Sequence, residues 1–230
     1  TELKEIRGRL KKAIEQGQNF SARYLEDIRI SLPIRSAVYF LPEAIRNFSA
    51  SHPTVSISPR VDWNGCLSSF LNYEQDIAFA MKYELRRIPN ITIHPLFDSR
   101  IYLITESTDE LAKKERISAD DLKGRTLMVG GGSPPTLRLV QQRVIDRGEV
   151  SYFNSHDHDT TLTNVEAQRG VCLAPGFLND HNPKFAWIPF DCRESFSCVL
   201  CTHKTDTRPS VSSFIGILRK LYRDAVAFPV

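Results

Sequence analysis

Residues 28–62 have the sequence IRISLPIRSAVYFLPEAIRNFSASHPTVSISPRVD, in which two kinds of apolar pattern alternate. The pattern predicts a strand from Ile28, a turn after Pro33, a helix over 36–51 capped by Ser36, and a second strand over 54–61. Residues 76–80 (DIAFA) are typical of a third strand that is buried on both faces of a parallel sheet. The stretch therefore predicts an α/β unit.

A similar order of elements occurs again over residues 126–175. TLMVGGG (126–132) predicts a strand and a glycine-rich loop, a helix follows to residue 146, and GVCLAP (170–175) predicts another buried strand. A helix over 67–71, two strands over 91–97 and 100–105, a short helix from 118 and a helix over 162–169 are also predicted. Strands over 187–190 and 197–202 and a helix over 212–225 complete the prediction. Two α/β lobes joined by extended segments form a cleft, and small ligands bind in such clefts. The repetition predicts a sensor or carrier of a small molecule.

The composition is that of an ordinary globular protein. A chain of 230 residues, 41% hydrophobic and 25% charged, can form two lobes of about 100 residues each. A net charge of +3 is too small to indicate the concentrated basic stripe of a nucleic-acid-binding surface. No apolar run approaches the roughly 20 residues that span a bilayer, and no apolar signal core begins the chain. We expect no membrane partner.

Five cysteines, an odd number scattered through strand-like segments, favour a reducing cytoplasm over a disulfide framework. Cys198 and Cys201 have C-x-x-C spacing, but two side chains so spaced in a strand point to opposite faces. Buried apolar thiols are the simpler interpretation. A thiol-based redox sensor remains open as a minor alternative.

The first residues predict an amphipathic helix. Leu3, Ile6, Leu10 and Ala13 recur at 3-4-3 spacing, and the pattern ends at a loop over 17–19. Two heptads are too short to be stable alone. This helix is therefore either the end of a longer coiled coil or an arm packed on the body.

Neither catalysis nor a metal site is indicated by the sequence. No nucleophile and base have a meaningful spacing, so no catalytic residue is assigned. The glycine-rich loop lacks the G-x-x-x-x-G-K-[ST] frame of phosphate-binding loops. The stretch HDHD (156–159) contains residue types that suit zinc, but helix capping by Asp159 or Thr160 is the simpler interpretation. We expect no enzyme activity, no metal and no cofactor.

Six segments occur in the order seen in LysR-type transcriptional regulators. They are the quoted stretch 28–62, DIAFAM (76–81), IHPLFDSRIYLIT (93–105), ISADDLKGRTLMVGG (117–131), VEAQRGVCLAPGF (165–177) and SFIGILRKLY (213–222). No single segment is diagnostic, but the ordered set resembles the effector-binding domain of that family over about residues 28–222. The resemblance implies two Rossmann-like lobes with a hinge, similar to a type 2 periplasmic binding protein.

The resemblance also implies a domain organisation and partners. Residues 1–27 would be the end of the linker helix that pairs subunits and a connector; 28–97 with 198–230 would form lobe I, and 98–197 lobe II. The expected partners are a small-molecule effector and further copies of the chain, in a homodimer or homotetramer. DNA would be reached only through the family's N-terminal winged helix-turn-helix, which is absent from this sequence.

Nine residues match positions that border the effector pocket in the family, and we expect them to bind the ligand: Ile34, Arg35, Ser36, Asn64, Gly65, Met81, Ser133, Asp159 and Thr160. Ser36 and Ser133 lie at predicted helix starts, where free N–H groups favour an anion. Arg35 could add a bidentate contact to a carboxylate. Where relatives carry small hydroxyls this chain has Pro33, Arg35 and Met81, which favours a carboxylate with an apolar body.

The leading hypothesis is the small-molecule sensor of a cytoplasmic LysR-type regulator, which switches attached DNA-binding domains when an effector binds in the cleft between the lobes. The alternative is a free-standing periplasmic-type solute-binding protein, although the coiled-coil-like first residues and the unpaired cysteines argue against it. An enzyme on the same two-lobed fold is a third possibility. It would need acid–base residues that converge in the cleft, and the sequence does not indicate them.

Overall fold

A computed structural model describes residues 2–18, 24–130 and 133–225. The helices are α1 (Glu2–Gln18), α2 (Leu41–Ser51), α3 (Cys66–Leu71), α4 (Pro135–Ile145), α5 (His158–Glu166) and α6 (Pro209–Asp224). The strands are β1 (Glu26–Leu32), β2 (Val55–Val61), β3 (Ile77–Met81), β4 (Ile91–Glu106), β5 (Thr126–Gly130), β6 (Ser151–Ser155), β7 (Val171–Pro175), β8 (Phe185–Pro189) and β9 (Ser195–His203). Of the loop predicted over 17–19, residues 17 and 18 belong to α1 and Asn19 lies outside the described residues, as do Gly131 and Gly132 of the predicted glycine-rich loop.

The chain forms two compact units. The first contains the described residues up to Phe97 and those from Ser197 onward, and the second contains Asp98–Phe196. Strands β4 and β9 each continue from one unit into the other. The assignment of these stretches to effector-binding lobes, and of residues 1–27 to a linker and connector, stays a prediction.

The sheet of the first unit contains the three strands that the quoted stretch and the DIAFA segment predict. Strand β1 runs parallel to β2 and β3, and β9 pairs antiparallel with the other edge of β3. The strand order is β2-β1-β3-β9, followed by β4. Helices α2 and α6 pack side by side through apolar faces, where the rings of Phe48 and Phe214 meet edge to face with centroids 5.4 Å apart.

The sheet of the second unit has the same parallel core. Strand β5 runs parallel to β6 and to β7, and β4 runs antiparallel to β7. Strand β8 pairs antiparallel with the remaining edge of β4. All five residues of β7 are buried, as expected for a strand that has neighbours on both sides and helices on its faces.

The predicted start of helix α2 is wrong. Helix α2 begins at Leu41, not at Ser36, and Ser36 lies in a separate 3-10 turn over Arg35–Ala37. Pro42 explains the difference, because a proline lacks an N–H and its ring clashes with the carbonyl four residues earlier, so it is tolerated only in the first turn of a helix. Ser36 therefore caps no α-helix, and the anion-binding argument from that helix start does not hold for it.

Two further predictions need correction, and one strand was missed. Helix α5 covers His158–Glu166 instead of 162–169, and its N-cap is Asp157, whose carboxylate accepts the N–H of Thr160. Strand β4 is continuous where two strands were predicted. Strand β6 was not predicted, because its sequence SYFNS is mostly polar and four of its five residues keep contact with solvent at a sheet edge.

Candidate functional site

Six of the nine predicted ligand-binding residues lie at one edge of the first unit. Strands β1, β2 and β3 are mutually parallel, so their carboxyl ends meet at one edge of the sheet. Ile34, Arg35 and Ser36 follow β1, Asn64 and Gly65 follow β2, and Met81 ends β3. In open α/β sheets, ligands bind outside the carboxyl ends of the strands. We call this the lobe I edge.

The turn after β1 presents a cation to solvent. Ile34 has extended backbone angles, and its carbonyl accepts the N–H of Ala37 at 3.2 Å, which closes the 3-10 turn. Arg35 is exposed and Ser36 is half-buried. Within the described part of the chain, the guanidinium of Arg35 forms no ion pair, so its charge is open to an anion.

The turn after β2 is held by a local hydrogen bond. The carboxylate of Asp62 accepts the N–H of Gly65 at 2.8 Å, and the Asp62 N–H donates to the carbonyl of Leu32 at the end of β1. A Cβ atom at Gly65 would lie 2.1 Å from Oδ2 of Asp62, so a larger residue would displace the Asp62 side chain from this turn. Asn64 is exposed next to it. The Asp62 N–H bond ties the loop after β2 to the end of β1.

The end of β3 holds a carboxylate that was not predicted. The backbone N–H of Met81 donates to Oε2 of Glu84 at 2.7 Å, across a 3-10 turn over Lys82–Leu85. Glu84 is exposed, yet partial desolvation raises the pKa of its carboxyl group, against the opposing effect of the Met81 hydrogen bond. This is the glutamate half of a capping box, but Met81 stands where the motif has Ser or Thr, so the sequence carries no clear signal for it.

The other three predicted residues lie at one edge of the second unit, which we call the lobe II edge. Ser133 follows β5, and Asp159 and Thr160 follow β6, its parallel neighbour. Ser133 is half-buried, and its N–H donates to the carbonyl of Gly130 at 3.1 Å, two residues before α4 begins. The structure therefore groups the nine residues as six and three, each set at the carboxyl ends of parallel strands.

The first turn of α5 uses one of these residues internally. Thr160 donates both its N–H, at 2.7 Å, and its hydroxyl, at 3.0 Å, to the carboxylate of Asp157. These bonds lower the pKa of Asp157. Asp159 is exposed, whereas the neighbouring His158 is half-buried and its pKa is lowered by desolvation despite three nearby carboxylates. The hydroxyl of Thr160 must break its own cap before it can donate to a ligand.

The cysteines are placed unfavourably for redox sensing. Cys198 and Cys201 are buried on β9, and burial raises the pKa of the Cys201 thiol to about 12. Cys66 lies buried under the lobe I edge, and burial raises the pKa of its thiol to about 11. Because thiolates are the reactive species, these thiols have little tendency to react at neutral pH.

A polar cavity of about 530 Å³ lies at the opposite edge of the second unit, where β5 and β7 begin. An ion pair lines it: the guanidinium of Arg125 donates to both carboxylate oxygens of Asp109, at 2.9 and 3.0 Å. None of the nine predicted residues lies there. Over the described ranges 2–18, 24–130 and 133–225, no group of three or more His, Cys, Asp or Glu residues could hold a metal ion.

The sequence matches the family model for the LysR substrate binding domain over residues 24–223. No curated protein sequence matches this chain significantly. In the described part of the chain, no helix combines the length and apolar character that a membrane-spanning helix requires.

Several solved structures share the fold. HinK, a LysR family transcriptional regulator from Pseudomonas aeruginosa, has a TM-score of 0.70 at 18% identity, over 94% of this chain and 77% of that one. The BenM effector binding domain with its effector benzoate has a TM-score of 0.65 at 16% identity, over 87% of this chain and 93% of that one. The regulatory domain of MetR, a LysR family regulator from N. meningitidis, has a TM-score of 0.57 at 18% identity, over 85% and 93%.

At these identities the structural likeness shows the fold alone, which is the predicted α/β fold of the type 2 periplasmic-binding-protein kind. The family model covers most of the chain and does not favour a free-standing solute-binding protein. The protein therefore belongs to the LysR substrate-binding domain family, and its role is that of a regulatory, effector-sensing domain.

Proposed function

We propose that a small effector with a carboxylate or other anionic group binds to this domain at the carboxyl ends of its parallel strands. The predicted contacts are Ile34, Arg35, Ser36, Asn64, Gly65 and Met81 at the lobe I edge, and Ser133, Asp159 and Thr160 at the lobe II edge. The observation that carries the proposal is that six of these residues follow or end β1, β2 and β3 at one edge of the sheet. One of the six, Arg35, forms no ion pair within the described residues. The cleft expected from the sequence stays a prediction.

The chemistry of the lobe I edge supports a carboxylate with an apolar body. Arg35 supplies an exposed guanidinium, and guanidinium groups bind carboxylates through two parallel hydrogen bonds. Ile34 and Met81 are half-buried apolar neighbours of the same edge. Benzoate, the effector of the BenM domain, is a ligand of this kind.

The experiment is a thermal-shift titration of this domain against aromatic and aliphatic carboxylates, amino acids and inorganic anions. We expect a saturable rise of the unfolding midpoint for one chemical class, because a ligand that binds only the folded state stabilises it. Arg35→Ala and Ser133→Ala should abolish the rise, whereas Arg147→Ala and Ser107→Ala, at exposed positions on the opposite edge of the second unit, should keep it. A rise that survives both Arg35→Ala and Ser133→Ala would place the ligand elsewhere.

We also propose that the domain works as a homodimer or homotetramer. Leu3, Ile6, Leu10 and Ile14 form an exposed apolar stripe along α1, with 81%, 57%, 60% and 52% of their surfaces in solvent. Residues at such spacing form the seam of a coiled coil, and a second α1 would cover them. Helices α2 and α4 resemble those that lie side by side between subunits in the family.

The contact through α2 and α4 can be tested by charge reversal. Arg46 on α2 and Arg138 on α4 are exposed, and Leu139 on α4 exposes 66% of its surface. Arg46→Glu and Arg138→Glu should lower the sedimentation coefficient at a fixed protein concentration, while Arg193→Glu should not. Unchanged sedimentation in the first two variants would count against this assignment.

The remaining expectations about the whole regulator are proposals too. They are that the domain contacts DNA only through an attached winged helix-turn-helix, that it works in the cytoplasm, and that it catalyses no reaction. LysR effector-binding domains are typically non-enzymatic, which supports the last of these. Gel-shift measurements of the full regulator, with and without the effector found by thermal shift, would test the link to DNA.

A further inference from the structure

We propose that Glu84 makes the lobe I edge select an effector that carries a cationic ammonium group as well as its carboxylate. The ligand class is then a zwitterion of the amino-acid type, not a simple carboxylic acid. This inference rests on the proposed function, because it assumes that the effector binds at the lobe I edge.

The position of Glu84 places its charge where the ligand is expected. The 3-10 turn that carries Glu84 follows β3 directly. Arg35 and Asn64 follow the parallel strands β1 and β2 at the same edge of the sheet. Oε2 of Glu84 accepts the N–H of Met81 at 2.7 Å. This N–H is the one that the end of β3 would otherwise offer to an anion, so the protein's own carboxylate already occupies that position.

The carboxylate of Glu84 has no cation to balance it within the described residues. Lys82 belongs to the same turn but is exposed and forms no ion pair with Glu84. The Met81 N–H is the single hydrogen-bond donor that the described residues give to Glu84. One carboxylate oxygen and the full negative charge are therefore open to a ligand.

Glu84 is exposed, but its carboxylate lies close to an apolar cluster at the end of β3. Its charge helps to raise the pKa of two buried thiols, Cys66 and Cys201, which belong to one apolar cluster with Phe70, Ala80 and Leu85. Desolvation against this floor also raises the pKa of Glu84 itself. An opposite charge favours the charged form of such a carboxyl group, so a bound ammonium group would stabilise the Glu84 carboxylate.

The two ends of such a ligand have separate partners at this edge. Arg35 offers a guanidinium to a carboxylate, and Glu84 offers a carboxylate to an ammonium group. A ligand that has only a carboxylate would gain the first contact and be repelled by the second group. Because hydrogen bonds to charged groups are among the stronger ones, we expect a discrimination of about tenfold to a hundredfold.

The test compares ligands that share one carbon skeleton and differ only in their charged groups. L-Leucine, 4-methylpentanoate and 3-methylbutylamine form one set; L-phenylalanine, 3-phenylpropanoate and 2-phenylethylamine form another; L-glutamate and glutarate extend the panel to acidic side chains. Binding is measured by calorimetry or thermal shift on the wild-type domain. In at least one set, the amino acid should bind about tenfold or more tightly than its deaminated acid.

Glu84→Gln separates charge from turn geometry. The amide oxygen of glutamine can still accept the Met81 N–H, so the turn is kept while the negative charge is lost. This variant should lose the preference for the amino acid, and Glu84→Asp, which keeps the charge on a shorter side chain, should retain it with weaker binding. Glu115→Gln, at an exposed position of the second unit, is the matched control and should behave as wild type.

The outcomes distinguish this inference from the proposed function. If the deaminated acid binds the wild-type domain as tightly as the amino acid, or if Glu84→Gln keeps the preference, the role of Glu84 is overturned while the effector site stands. If no member of the panel stabilises the domain, both fail. Two results together would support both the effector site and the role of Glu84. Glu84→Gln should bind the amino acid and the deaminated acid equally, and Arg35→Ala should bind neither.

Discussion

At the scale of the residue, the sequence indicates which residues follow the strands, but not which groups their side chains contact. Arg35, Asn64 and Met81 were predicted as ligand contacts from the family resemblance; each follows or ends a parallel strand, and their contact with a ligand stays a prediction. Ser36 was predicted as a helix cap and is not one, because Pro42 sets the start of α2. Glu84 was missed, since its importance depends on the N–H that it accepts and on the apolar floor beneath it. Such contacts depend on tertiary structure, which periodicity does not report.

Gly65 is a residue whose replacement should be costly for steric reasons alone. Gly65→Ala would place a Cβ 2.1 Å from Oδ2 of Asp62 and force out the side chain that accepts the Gly65 N–H. We expect a loss of about 1–3 kcal/mol in the free energy of unfolding, measured by urea denaturation. Gly216→Ala is the control, because nothing lies within 4 Å of its Cβ position in α6 and alanine favours a helix. Equal stability of the two variants would contradict the role assigned to this turn.

His158 should make stability depend on pH. Burial lowers its folded-state pKa, so the unfolded chain takes up a proton near the ordinary value of about 6.5 and the folded chain only at lower pH. The unfolded state then binds more protons below that value, and stability falls as pH drops. His158→Gln should lose less stability than wild type between about pH 7.5 and 5.5 in urea denaturation. His156→Gln, exposed two residues earlier, should follow wild type; an unchanged profile in His158→Gln would refute the prediction.

At the scale of the element, strongly patterned segments were predicted and weakly patterned ones were not. Strands β3 and β7 are continuous apolar runs, and both were predicted within one residue of their bounds. Strand β6 was missed because an edge strand with polar residues on its open side has no apolar period. Helix α5 was shifted because Asp157, and not a later residue, caps it. Boundaries set by one side-chain hydrogen bond are difficult to read from apolar spacing.

Helix α1 should depend on a glycine contact with the body. A Cβ at Gly8 would lie 2.7–2.8 Å from backbone oxygens of Asn72 and Tyr73, just after α3, so α1 can approach the first unit only with glycine there. Gly8→Ala raises helix propensity, yet it should release α1 from this contact. Because a helix of two heptads is marginal alone, amide exchange in α1 should become faster. Gly216→Ala is the control and should leave amide exchange in α1 unchanged. If Gly8→Ala also leaves it unchanged, the contact between Gly8 and the body does not form in solution.

At the scale of the whole molecule, the two sides of α1 differ in a way that suits a switch. Gly8 lies about 200° around the helix from Ile6 and from Leu10, so the side that contacts the body and the apolar stripe face opposite directions. An effector changes activity only if it binds two states with different affinity. A helix that contacts the body on one side and another subunit on the other can transmit a change of state from the domain to that subunit. The sequence predicted the stripe, but the glycine contact depends on the folded position of Asn72 and Tyr73.

The apolar stripe on α1 should mediate association between copies of the whole molecule. Ile6→Glu with Leu10→Glu would place four like charges on the seam of a two-stranded coiled coil, where burial of unpaired carboxylates is costly. Sedimentation velocity over a concentration series should show association weakened by at least about tenfold. Leu25→Glu is the matched control, because Leu25 is 86% exposed and does not belong to the stripe. If the double variant associates as tightly as wild type, the stripe is not the seam, and α2 and α4 must supply the contact alone.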